Sequence, residues 1–193
     1  MFRSGRILAV AALVLPAMAT ATEISYDYVQ VAFVTTELDL GPVNVDGDGF
    51  NIQGSVSATK NVFVFLDYSD LGFDFGVDAS TLELGGGYHK PMSANLDLTG
   101  TIGYARAEVD IPGGPSPSED GFALSIGLRG SPSEKIEVRG RIVYVNLDGD
   151  NTQLELFGDY YVTQAISLGA GVIFDDDTTT WGIGGRLHFG SRK

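Results

Sequence analysis

Residues 121–130, GFALSIGLRG, alternate without a break. Phe122, Leu124, Ile126 and Leu128 fall on one side, and Ala123, Ser125, Gly127 and Arg129 on the other. A period of two is the side-chain period of a β-strand. It recurs in ten runs, at 24–35, 48–58, 61–69, 79–90, 94–108, 120–130, 134–147, 151–161, 165–174 and 179–189. In the seventh, Ile136, Val138, Gly140, Ile142 and Tyr144 oppose Glu137, Arg139, Arg141 and Val143. The first is less regular: Tyr26 and Tyr28 oppose Val29, Val31 and Phe33, which predicts a bulge or a change of phase. Helical periodicity is almost absent.

One apolar and one polar face suit two opposite solvents. In a soluble sandwich or lipocalin-like barrel the apolar face is the core. In a membrane barrel it meets lipid, and the polar face lines the lumen. Several features favour the second. Links after runs 1, 3 and 5 are long (TELDLGPVNVDGDG, SDLGFDFGVDAS, EVDIPGGPSPSED), whereas ATKN, HKPMSAN, GSPSEK and TQA are tight. Asp and Glu gather in the first set, while Lys60, Lys90, Lys135 and Lys193 lie in turns or at the C-terminus. Tyr68, Tyr104, Tyr144 and Trp181 fall toward one end of the runs, and Tyr88, Tyr160 and Phe189 toward the other. Two such aromatic rows mark the two interfaces of an apolar band. The run count is even, and a bilayer leaves no edge strand satisfied, so run 1 is expected to pair with run 10. The reading is an all-β, closed, antiparallel up-and-down transmembrane β-barrel of ten strands, with eight strands as the alternative.

The N-terminus sets the compartment. Arg3 and Arg6 precede an apolar run from Ile7 to Leu15, then Pro16 and the small-residue sites Ala17-Met18-Ala19 and Ala19-Thr20-Ala21. That is the three-part pattern of a secretory signal peptide. The expected organisation is a signal peptide over 1–21 and a barrel domain over 22–193. No later stretch has the roughly 18 consecutive apolar residues of a membrane helix. The chain has no cysteine and a formal charge of −13, which argues against thiolate chemistry and against nucleic-acid binding. The expected location is the outer membrane of a Gram-negative cell, with both termini periplasmic.

The polar face carries Glu83, Asp97, Arg129, Glu137, Arg139, Arg141, Glu155, Asp159 and Arg186. In a narrow lumen such charges must pair. They read as a structural plug, or as a polar lane that gates small solutes. Arg129 and Glu137 on adjacent runs are candidate partners. The two histidines, His89 and His188, both map to the turn rim, away from any evident nucleophile, so no catalytic residue is assigned. The acidic stretches VDGDG, LDGDN and FDDDTT lack the ligand spacing of a calcium loop, and Asp-Gly is first a turn signal. No metal site or cofactor is assigned. IPGGPSPSED, at 111–120, reads as a mobile loop tip. The outer-face glycines Gly86, Gly100, Gly140 and Gly158 read as relief of wall curvature.

ISYDYVQVAF, the hairpin DGFNIQGSVSATKNVFVFLDYS and the ending TTTWGIGGRLHF together resemble the small outer-membrane barrels regulated by diffusible signal factor, over residues 24–189. The broader likeness is to porin-like and OmpA-like barrels. This resemblance implies an outer-membrane barrel without catalytic residues. Gly184, Leu187 and Phe189 resemble the C-terminal signal read by the barrel assembly machinery, with two departures: Gly182 is not polar, and GSRK follows Phe189. The expected role is non-enzymatic, structural or interactive at the surface (envelope integrity, adhesion or signalling through acidic loops). A narrow channel and a soluble exported binding protein are the alternatives. The expected partners are outer-membrane lipid and lipopolysaccharide, with the assembly machinery and periplasmic chaperones during biogenesis, around a monomer.

Overall fold

The computed structural model describes residues 24–39 and 44–189. The segment read as a signal peptide lies outside them. Ten strands form the wall: β1 (Tyr28–Asp39), β2 (Asn44–Ser57), β3 (Val62–Phe73), β4 (Val77–Ser93), β5 (Leu96–Asp110), β6 (Ser118–Ser133), β7 (Ile136–Asn146), β8 (Asp150–Tyr161), β9 (Ile166–Phe174) and β10 (Thr178–His188). Each pairs antiparallel with its neighbours in sequence, and β1 closes on β10 from Tyr28↔His188 to Leu38↔Thr178. All ten runs are wall strands, which sets aside the eight-stranded alternative.

The two faces separate as the period requires. Val29, Val31 and Phe33 of β1 are exposed on the outside, as are Phe122, Leu124, Ile126 and Leu128 of β6. Their in-between neighbours point inward: Ala123 is 1% exposed and Arg129 4%. A closed wall satisfies every backbone group in its span, which lets this apolar exterior face lipid.

Three expectations from the pattern are corrected. The first run needs no bulge. Tyr28 stays in phase as an inward residue, while residues 24–26 turn into the lumen and Asp27 stays at the wall, accepting from Phe189 N and Ser57 N, so the strand begins at Tyr28 rather than at 24. The register shifts occur elsewhere, at Pro91/Ser93 in β4 and Gly130/Ser133 in β6.

The long links are mostly strand. The β1–β2 ladder continues to Asp39↔Asn44, and the β3–β4 ladder to Phe73↔Val77, where a 3-10 turn (Asp74–Gly76) joins them. Between β5 and β6 residues 111–117 remain as a loop. Extending an existing hairpin needs no new register, so the ladder overrides the weak strand propensity of Asp and Gly. The rim opposite the tight turns is therefore made of projecting hairpins.

The glycines that matter for packing face the lumen. A side chain at Gly87 would run into the Phe63 ring, and one at Gly171 into Phe157. Gly103 leaves room for Glu83, whose Oε1 would lie 3.0 Å from an added Cβ. By contrast, open space surrounds Gly158 on the outer wall. The inner face is thus not uniformly small: glycine on one strand makes room for a large side chain leaning over from the next.

Candidate functional site: the lumen

The turn-side half of the lumen is filled. Ile24, Tyr26, Phe63 and Phe65 form a buried apolar cluster. Tyr26 stacks on His89 at 4.1 Å between ring centroids and on Phe63 at 4.7 Å. Its hydroxyl donates to Asp97 Oδ2 at 3.0 Å, and the same carboxylate oxygen lies 3.0 Å from His89 Nδ1. The Arg129 guanidinium sits 4.6 Å from the Tyr26 ring centroid and donates from Nη2 to the Ser25 carbonyl at 2.8 Å. The N-terminal segment is therefore held by apolar contact, a charged donor on its backbone and a hydroxyl anchor.

The registers explain the charge pairing. Arg129 stands directly across from Arg139, and Glu137 across from Asp159. Like charges side by side repel, so the pairs form diagonally. Arg129 Nε donates to Glu137 Oε1 at 2.8 Å, and Arg186 Nη1 donates to the same oxygen at 3.2 Å. Tyr161 donates to Glu137 Oε2 at 2.9 Å. Asp159 lies 3.8 Å from Arg139 and 3.6 Å from Arg186. Arg139 covers the Phe157 ring at 4.7 Å, and Arg186 covers Tyr28 at 4.2 Å. The side chains of Glu137 and Arg186 are both 0% exposed. Higher up, Arg141 grips Glu155 through two hydrogen bonds of 2.5 and 3.1 Å.

Of the nine residues read as luminal charges, eight thus lie in contact chains of this kind. The ninth, Glu83, makes no hydrogen bond or ion pair among the described residues. Asp67 stands directly across the ladder from it. Asp67 accepts from Asn51 Nδ2 at 2.5 Å and from Gln53 Nε2 at 2.7 Å. Sequence reading missed Asp67 because Phe63 and Phe65 share its phase and disguise the polar face. It also missed Gln30, which accepts from Arg186 at 2.6 and 3.0 Å, and Gln53, which accepts from the Tyr28 hydroxyl at 3.0 Å. His188 lies between the rings of Tyr28 and Tyr161, at 6.0 and 5.0 Å.

On the outside, Tyr88, Tyr104, Tyr160, Trp181 and Phe189 are exposed. Tyr68 and Tyr144 are partly covered by tilted contacts with Phe50 and Phe122, both at 6.1 Å. Beyond the upper aromatic row, Tyr104 donates to Asp120, and Tyr144 donates to Asp150 at 2.7 Å. These bonds hold both carboxyls below the usual range for Asp. Of the stretches that suggested calcium loops, VDGDG lies within the β2 ladder and LDGDN forms the β7–β8 turn. In FDDDTT, Asp175 accepts from Asn151 at 2.6 Å.

A closed ten-stranded wall, lipid-facing outside and sealed by ion pairs inside, defines an outer-membrane barrel. A model of the outer membrane protein β-barrel domain matches residues 7–174, and the chain belongs to that family. Among solved structures the chain is similar to Ail, the attachment invasion locus protein of Yersinia pestis, at 16% identity and TM-score 0.46, over 84% of this chain and 97% of that one. It is also similar to Neisserial surface protein A, at 15% identity and TM-score 0.45, over 86% and 98%. A third is the N-terminal barrel domain of Pseudomonas aeruginosa OprF, at 14% identity and TM-score 0.42, over 84% and 98%. No curated protein matches the chain.

Proposed function

We propose that this barrel is a non-enzymatic outer-membrane protein that acts through its hairpin rim, with a lumen that serves as a structural plug. The observation that carries this reading is the junction of Arg129, Glu137 and Arg186, side chains at most 5% exposed, beneath the inserted segment 24–26. A conducting lane needs water along its length, and here aromatic rings and paired charges occupy that path. The His89–Asp97 pair, a base beside a carboxylate, is stacked under Tyr26, which argues against substrate access. In this reading the turn rim and both termini are periplasmic, the acidic hairpins face outward beside lipopolysaccharide, and the aromatic rows sit at the two interfaces. The protein functions as a monomer that reaches the membrane through periplasmic chaperones and the assembly machinery. Regulation by diffusible signal factor belongs to the same proposal, on the strength of the three sequence stretches that suggested it. The test is conductance of the purified protein in planar bilayers. A silent membrane with correctly folded protein is the expected result, and stepwise currents from the unaltered chain would establish the channel reading instead.

A further inference from the structure

The hairpin-side half of the lumen is not filled. It holds a cavity of about 440 Å3 that reaches the rim at Leu147, Gly149 and Asp175. Its wall is unusual for a lumen: Val34, Leu71, Val143, Val145 and Ile173 all point inward along it. Its floor is polar and carries Asp67 and Glu83.

The floor has a definite sign. Asp67, Glu83, Glu155 and Asp159 line it; Arg141 is paired with Glu155 and its charge also acts on Asp67 and Glu83, while Arg139 and Arg186 face Asp159. Asp67 is met by neutral amides, and Glu83 has no ion pair among the described residues. Two carboxylates directly across a ladder repel each other. A cation between them relieves that repulsion. A bare metal ion would use the carboxylates but not the apolar wall, and it requires more oxygen ligands than two side chains supply. A hydrocarbon would use the wall and leave the carboxylates bare. A ligand with an ammonium head and a short apolar body uses both. The volume falls in the range of small-molecule sites, roughly 300–1,000 Å3. Asp175 lines the entrance, and Asp148 and Asp176 stand in the turns at that rim; a mouth of one sign concentrates ions of the other.

We propose that the outer lumen is a binding site for small amphipathic amines, with the ammonium seated at Glu83 and Asp67 and the apolar body along Val34, Val143 and Ile173. Among the described residues the cavity reaches the hairpin rim and ends above the rings and paired charges of the turn-side half, so it captures its ligand without passing it through the barrel.

The experiment uses the full chain in lipid nanodiscs and isothermal titration calorimetry with hexylammonium, hexanol and hexanoate, empty nanodiscs serving as the blank. The expected result is saturable binding of one hexylammonium per chain, weaker binding of hexanol and none of hexanoate. Glu83→Gln should weaken hexylammonium about tenfold, the loss of one charged hydrogen bond, and leave hexanol unchanged. Val145→Trp fills the cavity and should remove both. Heat-modifiable gel migration verifies that each variant is folded; should Val145→Trp not fold, Glu83→Gln decides alone. Equal binding of hexylammonium and hexanol, an unaltered Glu83→Gln affinity, or calcium binding without hexylammonium binding would each overturn the proposal.

Discussion

Glu137 Oε1 receives hydrogen bonds from two arginines on well-separated strands, Arg129 Nε at 2.8 Å and Arg186 Nη1 at 3.2 Å. One carboxylate oxygen thus ties β6 and β10 to β7 across the lumen, while Tyr161 occupies the other oxygen at 2.9 Å. Buried ions are expensive to desolvate, so this junction stabilises only as a whole.

Removing Glu137 should therefore be far worse than losing one contact. Glu137→Leu leaves Arg129 and Arg186 buried without their shared acceptor. The expected loss is about 3–5 kcal/mol, the range for breaking a buried pair. Glu137→Gln retains the shape and one acceptor and should lose less. Urea titration in lipid vesicles, followed by heat-modifiable migration, gives the midpoints. Wild-type midpoints for both variants would show that the junction contributes little to stability.

The inner and outer glycines should respond in opposite ways. Gly87→Val places a side chain against the Phe63 ring, and overpacking of this kind costs about 1–3 kcal/mol. Gly158→Val enters open space on the outer face, where a β-branched residue favours the strand. The same urea assay should show a lowered midpoint for the first and an equal or raised midpoint for the second. Equal midpoints would mean that Phe63 can swing away from Gly87.

The contrast between those glycines also marks what was legible in the chain. The strand count followed from strict alternation, the closure of β1 on β10 from the need to satisfy edge strands in a bilayer, and the inward direction of the arginines from the sorting of links, charges and aromatics. They were readable because runs such as 120–130 and 134–147 keep one face apolar throughout. Tyr26, Tyr28, Phe63 and Phe65 were not readable as lumen residues. Chemistry alone assigns an aromatic ring to lipid, whereas the closed turn-side lumen excludes water and accepts rings as readily. The register between neighbouring strands, which no local pattern records, sets Phe63 against Gly87 and Phe157 against Gly171. The wall of the upper cavity was hidden for the same reason: Val143 and Val145 lie in the polar phase of their run, and only closure makes them line a cavity.

At the rim, Asp150 accepts from the Tyr144 hydroxyl at 2.7 Å and from Asn146 Nδ2 at 2.6 Å, which favours its charged form. A carboxyl lowered in the folded state adds stability above its unfolded pKa and loses it as pH falls through the folded value. The Asp150 carboxyl should therefore titrate below the ordinary Asp range, and Tyr144→Phe should move it back toward that range. Carboxyl carbon shifts followed by NMR across acid pH provide the measurement. An unchanged titration in Tyr144→Phe would leave Asn146 as the sole determinant.

The segment 24–26 gives the most direct test of the plug. Tyr26 joins Phe63, His89, Asp97 and Arg129, so it touches the charged and the aromatic parts of the closure together. Tyr26→Phe keeps the stacking and loses only the hydroxyl donated to Asp97, and it should stay silent in planar bilayers. The double substitution Ile24→Gly with Tyr26→Gly removes the two large buried side chains of the segment while leaving the wall intact. It should admit water to the turn-side lumen and produce small stepwise currents. Those currents should favour cations, because Asp97 is freed of its Tyr26 partner and Asp67 and Glu83 stand on the same route. If the double variant folds and remains silent, Tyr28, Phe63 and Phe65 close the lumen by themselves, and the inserted segment is ballast rather than a stopper.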